Sequence, residues 1–327
     1  MLEIGLIGCG VISGAHRHAW AKLGDRARLA ATADPDLGRA RAAADPSGAR
    51  AVADYHELLA DPAVAAVDLC LPHHLHRAVA IDCLRAGRHV LLEKPIATSL
   101  EDADAIIAAA EAAGRVLMVA ENCRFDPTVP LARRLMDEGE IGQPILCQVL
   151  SAWFQGGEYL DTAWRFDPST MGGGMLIDGG HHRVDTLLTL LGRPTRLSCL
   201  TRRVREVFPT EDTVAIVADF ADGVLAQLAL TQSTHWHPDQ MFRVVGSEGS
   251  LTGRRDGVEV RGTGREATFH AAPPVDTFLA EMTHFLDCIE TGSRPLMGGP
   301  EARATLEFVL AAYESARSGR VVELAST

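Results

Sequence analysis

The segment from Asp178 to Asp185 carries the side chains best suited to proton transfer. Asp178 lies four residues before His182, and Asp185 lies three residues after it; this spacing predicts that all three share one face of a helix. Histidine titrates near neutral pH, so His182 suits a general base that takes a proton from a hydroxyl group. Asp178 is expected to bind a substrate hydroxyl and to bias the imidazole. A polar network that only holds the preceding glycine-rich loop is the alternative interpretation.

A second candidate is Lys94, in the run Glu93-Lys94-Pro95 that ends the apolar segment His89–Leu92. A lysine there lies at the carboxyl end of a predicted parallel strand, where α/β proteins bind ligands. Pro95 restricts Lys94 to extended backbone. Lys94 is expected to stabilise a developing alkoxide and to join the proton relay, and it would need a lowered pKa to exchange protons itself. A surface lysine before a turn is the alternative.

The N-terminus predicts a dinucleotide site, because an apolar strand leads through a glycine-rich run into a helix. Gly8 permits a tight turn and Gly10 lets a pyrophosphate approach the backbone, while the helix N-terminus supplies N–H donors. A plain glycine turn is the alternative, since Ser13 stands where the motif usually has Gly or Ala. The predicted cofactor-binding residues of this run are Gly8, Gly10, Val11 and Ile12.

Asp34 strengthens the dinucleotide prediction. It ends the second predicted strand, at the separation expected of a carboxylate that binds the adenosine ribose. A carboxylate repels a 2′-phosphate, so NAD is favoured over NADP, although Arg39 nearby weakens that preference. Asp34 could instead cap the helix that begins at Pro35.

Short strands alternate with helices through the first third of the chain, and Ser99 gives a typical helix start. This pattern predicts an α/β protein whose residues 1–121 form a Rossmann domain with a doubly wound parallel sheet. Strand signals then dominate, around a helix expected over Met175–Leu191 and two closing helices, near Phe278–Glu290 and Glu301–Arg317. Residues 122–327 are predicted to form an α+β domain for substrate binding and oligomerisation, on a large, mainly antiparallel open sheet.

Composition excludes several classes of partner. The formal net charge of the 327 residues is −12, which gives no general attraction to nucleic acid or anionic membranes. The chain has no apolar run long enough to span a bilayer. Its seven cysteines are scattered without a C-x-x-C pair, which argues for reduced thiols and a cytoplasmic location.

Taken together, these motifs resemble the Gfo/Idh/MocA family of nicotinamide-dependent sugar and cyclitol oxidoreductases, over nearly the whole chain. The matching residues are Gly8-Cys9-Gly10, Asp34, Pro72-His73-His74-Leu75-His76, Glu93-Lys94-Pro95, Asn122-Cys123-Arg124-Phe125, Trp164-Arg165, Gly172-Gly173-Gly174, Asp178, His182 and Asp185.

The resemblance implies roles for several of these residues. Lys94 would be the catalytic lysine and, with Glu93, would help to seat the nicotinamide ribose. Asn122 and Arg124 would lie beside cofactor or substrate at the domain crossover, although Arg124 is equally suited to a structural ion pair. The residues that would lie near the cofactor at the end of the third predicted strand are Pro72, His73 and His76.

Aromatic and cationic side chains of the second half suit a polyhydroxylated substrate. Besides Arg124, Asp178 and His182, the candidates for substrate binding are Trp153, Trp164, Arg165 and His235. We predict no metal site. Adjacent helical residues such as His181 and His182 point about 100° apart, and His235 and His237 lack a nearby acidic ligand in the sequence.

The function expected is hydride transfer between NAD(P) and a sugar, cyclitol or sugar-derived hydroxyl or ketone. One alternative is a glycoside-cleaving enzyme that retains NAD, oxidises the substrate transiently and permits elimination. Another is a nucleotide-sensing regulator on the same fold. The resemblance also implies a homodimer or homotetramer formed through the C-terminal sheet.

Overall fold

The computed structural model describes residues 1–160 and 162–324, which form two compact units. Unit 1 holds Met1–Phe125 and Asp276–Arg303, and unit 2 holds Asp126–Val275 and the chain from Ala304 onward. The closing helix expected near Phe278–Glu290 therefore belongs to unit 1. The domain boundary between residues 121 and 122 stays a prediction.

Strands and helices are numbered in chain order. The strands are β1 Leu2–Ile7, β2 Ala27–Ala33, β3 Arg50–Val52, β4 Val64–Leu69, β5 His89–Glu93, β6 Leu117–Ala120, β7 Pro144–Ala152, β8 Pro194–Arg202, β9 Thr213–Phe220, β10 Leu225–Thr231, β11 Phe242–Gly246, β12 Gly249–Arg254, β13 Gly257–Gly262, β14 Thr268–Ala271 and β15 Val322–Glu323. The helices are α1 Ser13–Lys22, α2 Leu37–Ala44, α3 Tyr55–Leu59, α4 His76–Arg85, α5 Leu100–Ala113, α6 Thr128–Asp137, α7 Pro168–Met171, α8 His181–Leu191, α9 Thr277–Thr291 and α10 Gly299–Ser318. None of these helices is long and apolar enough to cross a membrane.

Unit 1 is built on a six-stranded parallel sheet in the order β3-β2-β1-β4-β5-β6. The predicted doubly wound parallel sheet is confirmed, with the three-residue strand β3 as an addition. Strand order reverses between β1 and β4, and such a reversal opens a ligand crevice at the carboxyl ends of the strands. The carboxyl ends of β1, β4 and β5 carry the glycine-rich run, Pro72 and Lys94.

Local signals bound helix α5 in unit 1, and the predicted start at Ser99 is confirmed. The Ser99 hydroxyl accepts a hydrogen bond from the Asp102 amide and caps α5. Gly114 ends the same helix in the left-handed conformation, at φ 61°. The apolar face of α9, which includes Met282 and Phe285, is buried in one core with Trp20 of α1. This burial explains why α9 folds with the first unit.

Unit 2 is built on a nine-stranded sheet in the order β14-β13-β12-β11-β7-β10-β9-β8-β15. Only the pair β7–β10 is parallel among these strands, so the prediction of a mainly antiparallel sheet is confirmed. Strand β12 was not predicted, and it contains two glycines. A Cβ at Gly253 would lie 2.2 Å from the Phe242 ring of the neighbouring strand, so the glycine makes room for that ring.

Helix α8 begins at His181, six residues later than predicted. Residues 175–180 form turns instead, and Asp178 therefore lies just before the helix rather than on one helical face with His182. Gly180 accounts for the late start. Gly180 occupies the N-cap position, and a Cβ there would lie 2.7 Å from the Leu176 carbonyl oxygen.

Candidate active site

The loop between β1 and α1 in unit 1 has the geometry of a phosphate-binding turn. Gly8 has φ +89°, and a Cβ on it would lie 2.3 Å from the Cys70 carbonyl oxygen, so only glycine fits. A Cβ on Gly10 would meet nothing within 4 Å, which leaves that backbone open to a ligand. The Ser13 hydroxyl donates to the Gly10 carbonyl at 2.6 Å, so the departure from the usual motif stabilises the turn. Val11 is 62% exposed, whereas Ile12 occupies the N-cap position of α1.

Asp34 is tied to this loop. Its carboxylate accepts hydrogen bonds from the backbone amide of Cys9, at 2.9 Å, and from that of Asp36, also at 2.9 Å. The alternative that Asp34 caps the next helix is wrong, because Asp36 is the N-cap of α2 and accepts from the amides of Gly38 and Arg39. Asp34 is thus a fixed carboxylate beside the glycine-rich turn.

Lys94 lies directly after β5, half-buried, before a cis peptide bond to Pro95. The buried ring of His76 lies between two backbone carbonyl oxygens, 2.8 Å from that of Pro95 and 3.0 Å from that of Leu71. It therefore links the turn after Lys94 to the end of β4. Burial lowers the pKa of His76. His73, also buried, packs edge-on against His76 at 5.7 Å between ring centroids.

Glu93 is buried, and both of its carboxylate oxygens have partners inside unit 1. Oε1 lies 3.0 Å from His16 Nε2, and Oε2 accepts the backbone N–H of Lys94 at 3.1 Å. The structure thus gives Glu93 a role that the sequence did not indicate, and a contact with the cofactor stays a prediction.

The turn after β6 carries the other two candidates of unit 1. Asn122 Nδ2 donates to Thr277 Oγ1 at the start of α9, at 2.9 Å. The Arg124 guanidinium donates to the Leu296 carbonyl oxygen at 3.0 Å. Each side chain therefore holds the Asp276–Arg303 segment, and their contacts with ligands stay predictions.

In unit 2, Asp178 is the centre of a polar cluster. Arg165 Nε donates to its buried carboxylate at 3.0 Å. The Arg165 guanidinium also lies over two rings, 4.4 Å from the centroid of Trp164 and 4.9 Å from that of Tyr159. Burial, together with the charge of Asp178 and a hydrogen bond to it, raises the pKa of Tyr159. The structure therefore brings Trp164, Arg165 and Asp178 together and adds Tyr159, and their contact with a substrate stays a prediction.

Trp153 packs against the turn that carries Asp178. A Cβ on Gly179 would lie 2.9 Å from Trp153 Cζ2, so the indole occupies the space beside that glycine. Trp153 Nε1 donates to Gln155 Oε1 at 3.0 Å, which fixes the ring. His182 is half-buried in the first turn of α8, four residues after Asp178.

The glycine-rich loop before Asp178 has its own anchors. The Tyr313 hydroxyl accepts the amides of Gly174 and Ile177, at 3.0 and 3.2 Å, and donates to Glu211 at 2.8 Å. Glu211 in turn accepts the Leu176 amide at 3.0 Å. Burial raises the pKa of Glu211. The sequence did not reveal these anchors, since they belong to distant segments without a recognisable motif.

His235 has a different environment from the one expected. Its ring stacks on Phe154, with 3.9 Å between centroids, and the Arg205 guanidinium lies 4.1 Å from the same Phe154 ring. His237 Nδ1 lies 3.0 Å from the Ala152 carbonyl oxygen. These two histidines thus have separate partners, and a substrate contact of His235 stays a prediction.

A glycine turn open to phosphate, a fixed carboxylate beside it and a lysine at the same edge of a parallel sheet define a dinucleotide-binding oxidoreductase. Residues 2–121 match the family model described as an oxidoreductase family with an NAD-binding Rossmann fold, and residues 129–252 match the GFO/IDH/MocA C-terminal domain. The chain belongs to the GFO/IDH/MocA family, as the sequence resemblance predicted.

Similar proteins are dehydrogenases and NAD-binding oxidoreductases. D-apiose dehydrogenase of Paraburkholderia graminis is 33% identical, over 98% of this chain and 89% of that protein. The NAD⁺-dependent scyllo-inositol 2-dehydrogenase of Bacillus subtilis is 28% identical, over 91% of this chain and 89% of that protein. An oxidoreductase of Agrobacterium radiobacter, solved with NAD⁺, L-tartaric acid and magnesium, superposes with a TM-score of 0.89 at 26% identity and covers 98% of each chain. The protein is accordingly an NAD-binding oxidoreductase.

Proposed function

We propose that the protein oxidises or reduces a CH–OH group of a sugar, a cyclitol or a sugar-derived compound with NAD. The observation that carries the proposal is the position of Lys94 in unit 1, at the same sheet edge as the Gly8–Gly10 turn. The substrates named for the two curated relatives, D-apiose and scyllo-inositol, support the substrate class. They favour a dehydrogenase over a glycoside-cleaving enzyme or a nucleotide sensor.

The residues of unit 1 fit the cofactor. The open backbone at Gly10 and the N-terminus of α1 would hold the pyrophosphate, with Val11 and Ile12 contributing to the same turn. Asp34 would bind the adenosine ribose. When bound, NAD supplies the acceptor for the hydride. The other predicted cofactor-binding residues are Pro72, His73, His76, Glu93, Lys94 and Asn122.

NAD rather than NADP follows from charge. Asp34 is fixed by two amides and would face a 2′-phosphate with its negative charge. Arg39, the cation that could compensate, is exposed and lies 3.5 Å from Asp36. We therefore expect Asp34→Ala to narrow the preference for NAD about tenfold, measured as the ratio of kcat/KM for the two cofactors. An unchanged ratio would contradict the assignment.

The chain's own residues would move the proton. His182 would take it from the substrate hydroxyl, Asp178 would bind a neighbouring hydroxyl, and Lys94 would stabilise the alkoxide. Only two of the 31 lysine and arginine residues are lysines, Lys22 and Lys94. In a chain that otherwise uses arginine, a titratable amine at position 94 favours a chemical role.

Substrate contacts are proposed for the cluster around Asp178. Trp153 and Trp164 offer aromatic faces to a sugar ring, and Arg165 offers donors to its hydroxyls. Arg124 and His235 complete the proposed set with less support, because the contacts described for them are with Leu296 and Phe154.

A stability screen tests the proposal. The protein is heated with NAD or NADP and a panel of sugars and cyclitols, and NADH formation is then measured for each compound that raises the unfolding temperature. We expect NAD to stabilise the protein and at least one polyol to yield NADH. Lack of stabilisation by either cofactor would refute the proposal, whereas elimination product without net NADH would favour the glycoside-cleaving alternative.

We also propose a homo-oligomer formed through the open face of the unit 2 sheet. Apolar side chains stand on that face at Leu200, Val217 and Leu225, with 62, 52 and 47% exposure, while the alternate residues are buried. Burial of such a face by a second copy removes apolar surface from water. Sedimentation should give a dimer or tetramer that Val217→Lys weakens, and a monomer at all concentrations would contradict this. A cytoplasmic location stays a prediction from the cysteine pattern.

A further inference from the structure

A buried chain of ionisable groups lies behind Lys94 in unit 1. The fully buried ring of His16, from α1, has Nδ1 3.0 Å from both carboxylate oxygens of Asp68 on β4. Its Nε2 lies 3.0 Å from Glu93 Oε1 on β5. Trp20 Nε1 donates to Asp68 at 2.8 Å and holds that end. We call Asp68, His16 and Glu93 the His16 bridge.

The bridge needs a protonated imidazole. Both ring nitrogens face carboxylate oxygens, so both must carry a proton to donate. Burial alone disfavours the imidazolium, but the charge of Asp68 and its hydrogen bond raise the pKa of His16 well above its usual value. The single imidazolium thus lies between two carboxyl groups, those of Asp68 and Glu93.

Apart from Lys94, the titratable groups described around the bridge are two further acids, a thiol and a histidine. Glu281 from α9 is buried, and its carboxyl oxygens have no hydrogen-bond partner among the described residues. Burial, with the nearby carboxylates, raises the pKa of Glu281 well above its usual value, against the opposing effect of the His16 charge. Cys70 is a neutral thiol, since burial raises its pKa. The same surroundings include Glu121, a further acid after β6, and His76 of α4, whose pKa burial lowers.

The bridge ends on Lys94. Glu93 uses one carboxylate oxygen for His16 and the other for the backbone N–H of Lys94, at 3.1 Å. His16 therefore fixes the Glu93 side chain, and Glu93 fixes the backbone at the lysine. Glu93 also stands one residue from the side chain that carries the amine, and a carboxylate close to an amine favours the ammonium form of that amine.

We propose that His16 is a positioning residue that acts through Glu93 to hold Lys94 as an ammonium ion. The inference rests on the role given to Lys94 in the proposed function, and it makes that role more specific. Lys94 donates a hydrogen bond to the developing alkoxide and does not exchange protons as a free amine. Removal of the hydroxyl proton then falls to His182.

The small number of lysines makes a direct test possible. In protein labelled with ¹³C at the lysine ε-carbon, NMR should give only two signals, and their titration gives the pKa of each amine. Lys22, which is half-exposed and paired with Asp276, is the internal control. Glu93→Gln keeps an acceptor for the Lys94 amide but removes the charge, and we expect it to lower the pKa of Lys94 by about one unit.

A second set of variants tests whether His16 acts through Glu93. The pair His16→Gln with Asp68→Asn removes one charge of each sign and leaves Glu93 without its cation, so Glu93 should take up a proton. Lys94 should then titrate lower, as in Glu93→Gln, and adding Glu93→Gln should cause no further shift. His56→Gln, at an exposed histidine paired with Asp54, is the matched control and should leave Lys94 unchanged.

Several results would overturn the inference. They are an unchanged Lys94 titration in Glu93→Gln, additive shifts in the triple variant, or a neutral His16 in the ¹⁵N-histidine spectrum of the unmodified protein. The ¹⁵N-histidine spectrum needs no variant, so it tests the inference even if a variant fails to fold. None of these readouts needs turnover, so an inactive protein would refute the proposed function alone.

Discussion

Tyr313→Phe tests how the loop before Asp178 is held, because it removes one hydroxyl and little else. That hydroxyl accepts the amides of Gly174 and Ile177 and donates to Glu211. Both amides belong to buried residues, so water cannot readily replace the lost acceptor.

The expected loss follows from three hydrogen bonds. Each hydrogen bond from an amide contributes about 1 kcal/mol, and the bond to the carboxylate contributes somewhat more. We therefore expect Tyr313→Phe to lower the free energy of unfolding by about 3 kcal/mol at neutral pH. Tyr55→Phe is the matched control, since that hydroxyl makes a single bond, to Asp82 at 2.8 Å. That bond is only part-buried, so its loss should stay near 1 kcal/mol.

The loss in Tyr313→Phe should also depend on pH. Burial raises the pKa of Glu211 in the folded protein, and the Tyr313 hydrogen bond opposes that rise. A raised carboxyl pKa means that the folded state binds more protons, so stability falls as the pH rises from the unfolded pKa through the folded one. Without Tyr313 the pKa rises further, and the deficit grows from acid to neutral pH.

Urea denaturation at acid and at neutral pH measures both the loss of stability and its pH dependence, because the midpoint and slope of each transition give the free energy of unfolding. The substrate KM should rise as well, because Asp178 follows this loop. A Tyr313→Phe protein that loses no more stability than Tyr55→Phe would refute the reasoning.

Two further predictions concern unit 2. Gly179→Ala places a methyl group 2.9 Å from Trp153 Cζ2 and should lower the free energy of unfolding by about 1–3 kcal/mol through overpacking. The variant should also have a higher substrate KM. An unchanged melting temperature and KM would contradict the packing of Trp153 against Gly179. Asp212→Asn removes a carboxylate whose pKa burial would raise but hydrogen bonds from Ser233 and two backbone amides lower. The ionised form therefore stabilises the fold above the unfolded pKa and less as the pH falls, so a deficit of about 2 kcal/mol at neutral pH should shrink in acid. If urea denaturation gives Asp212→Asn the same loss of stability at acid and at neutral pH, the ionised carboxylate does not have this stabilising role.

Local signals were sufficient for the parallel sheet and its caps. Ser99 and Gly114 each act on the backbone within a few residues, so their effects can be seen in sequence. The glycine turn and Asp34 are similar, because the motif itself encodes their backbone geometry. The capping alternative for Asp34 failed because Asp36 occupies the N-cap.

Long-range packing was not predictable in the same way. The apolar face of α9 predicts a helix, but it does not predict which core the helix packs into. That core belongs to unit 1. The late start of α8 depends on Gly180 and its contact with Leu176. Tyr159 and His16 lie outside the recognised motifs, and their contacts include partners from distant segments.

Single-turnover hydride transfer tests the central claim most directly. Enzyme with bound NAD is mixed with a polyol found in the stability screen, and nicotinamide reduction is followed for Lys94→Ala, His182→Ala and the control Lys22→Ala. Loss of a group that handles the proton or the alkoxide should slow the step about 10²- to 10⁴-fold, whereas Lys22→Ala should keep the wild-type rate. A wild-type rate in Lys94→Ala or in His182→Ala would contradict the role assigned to that residue.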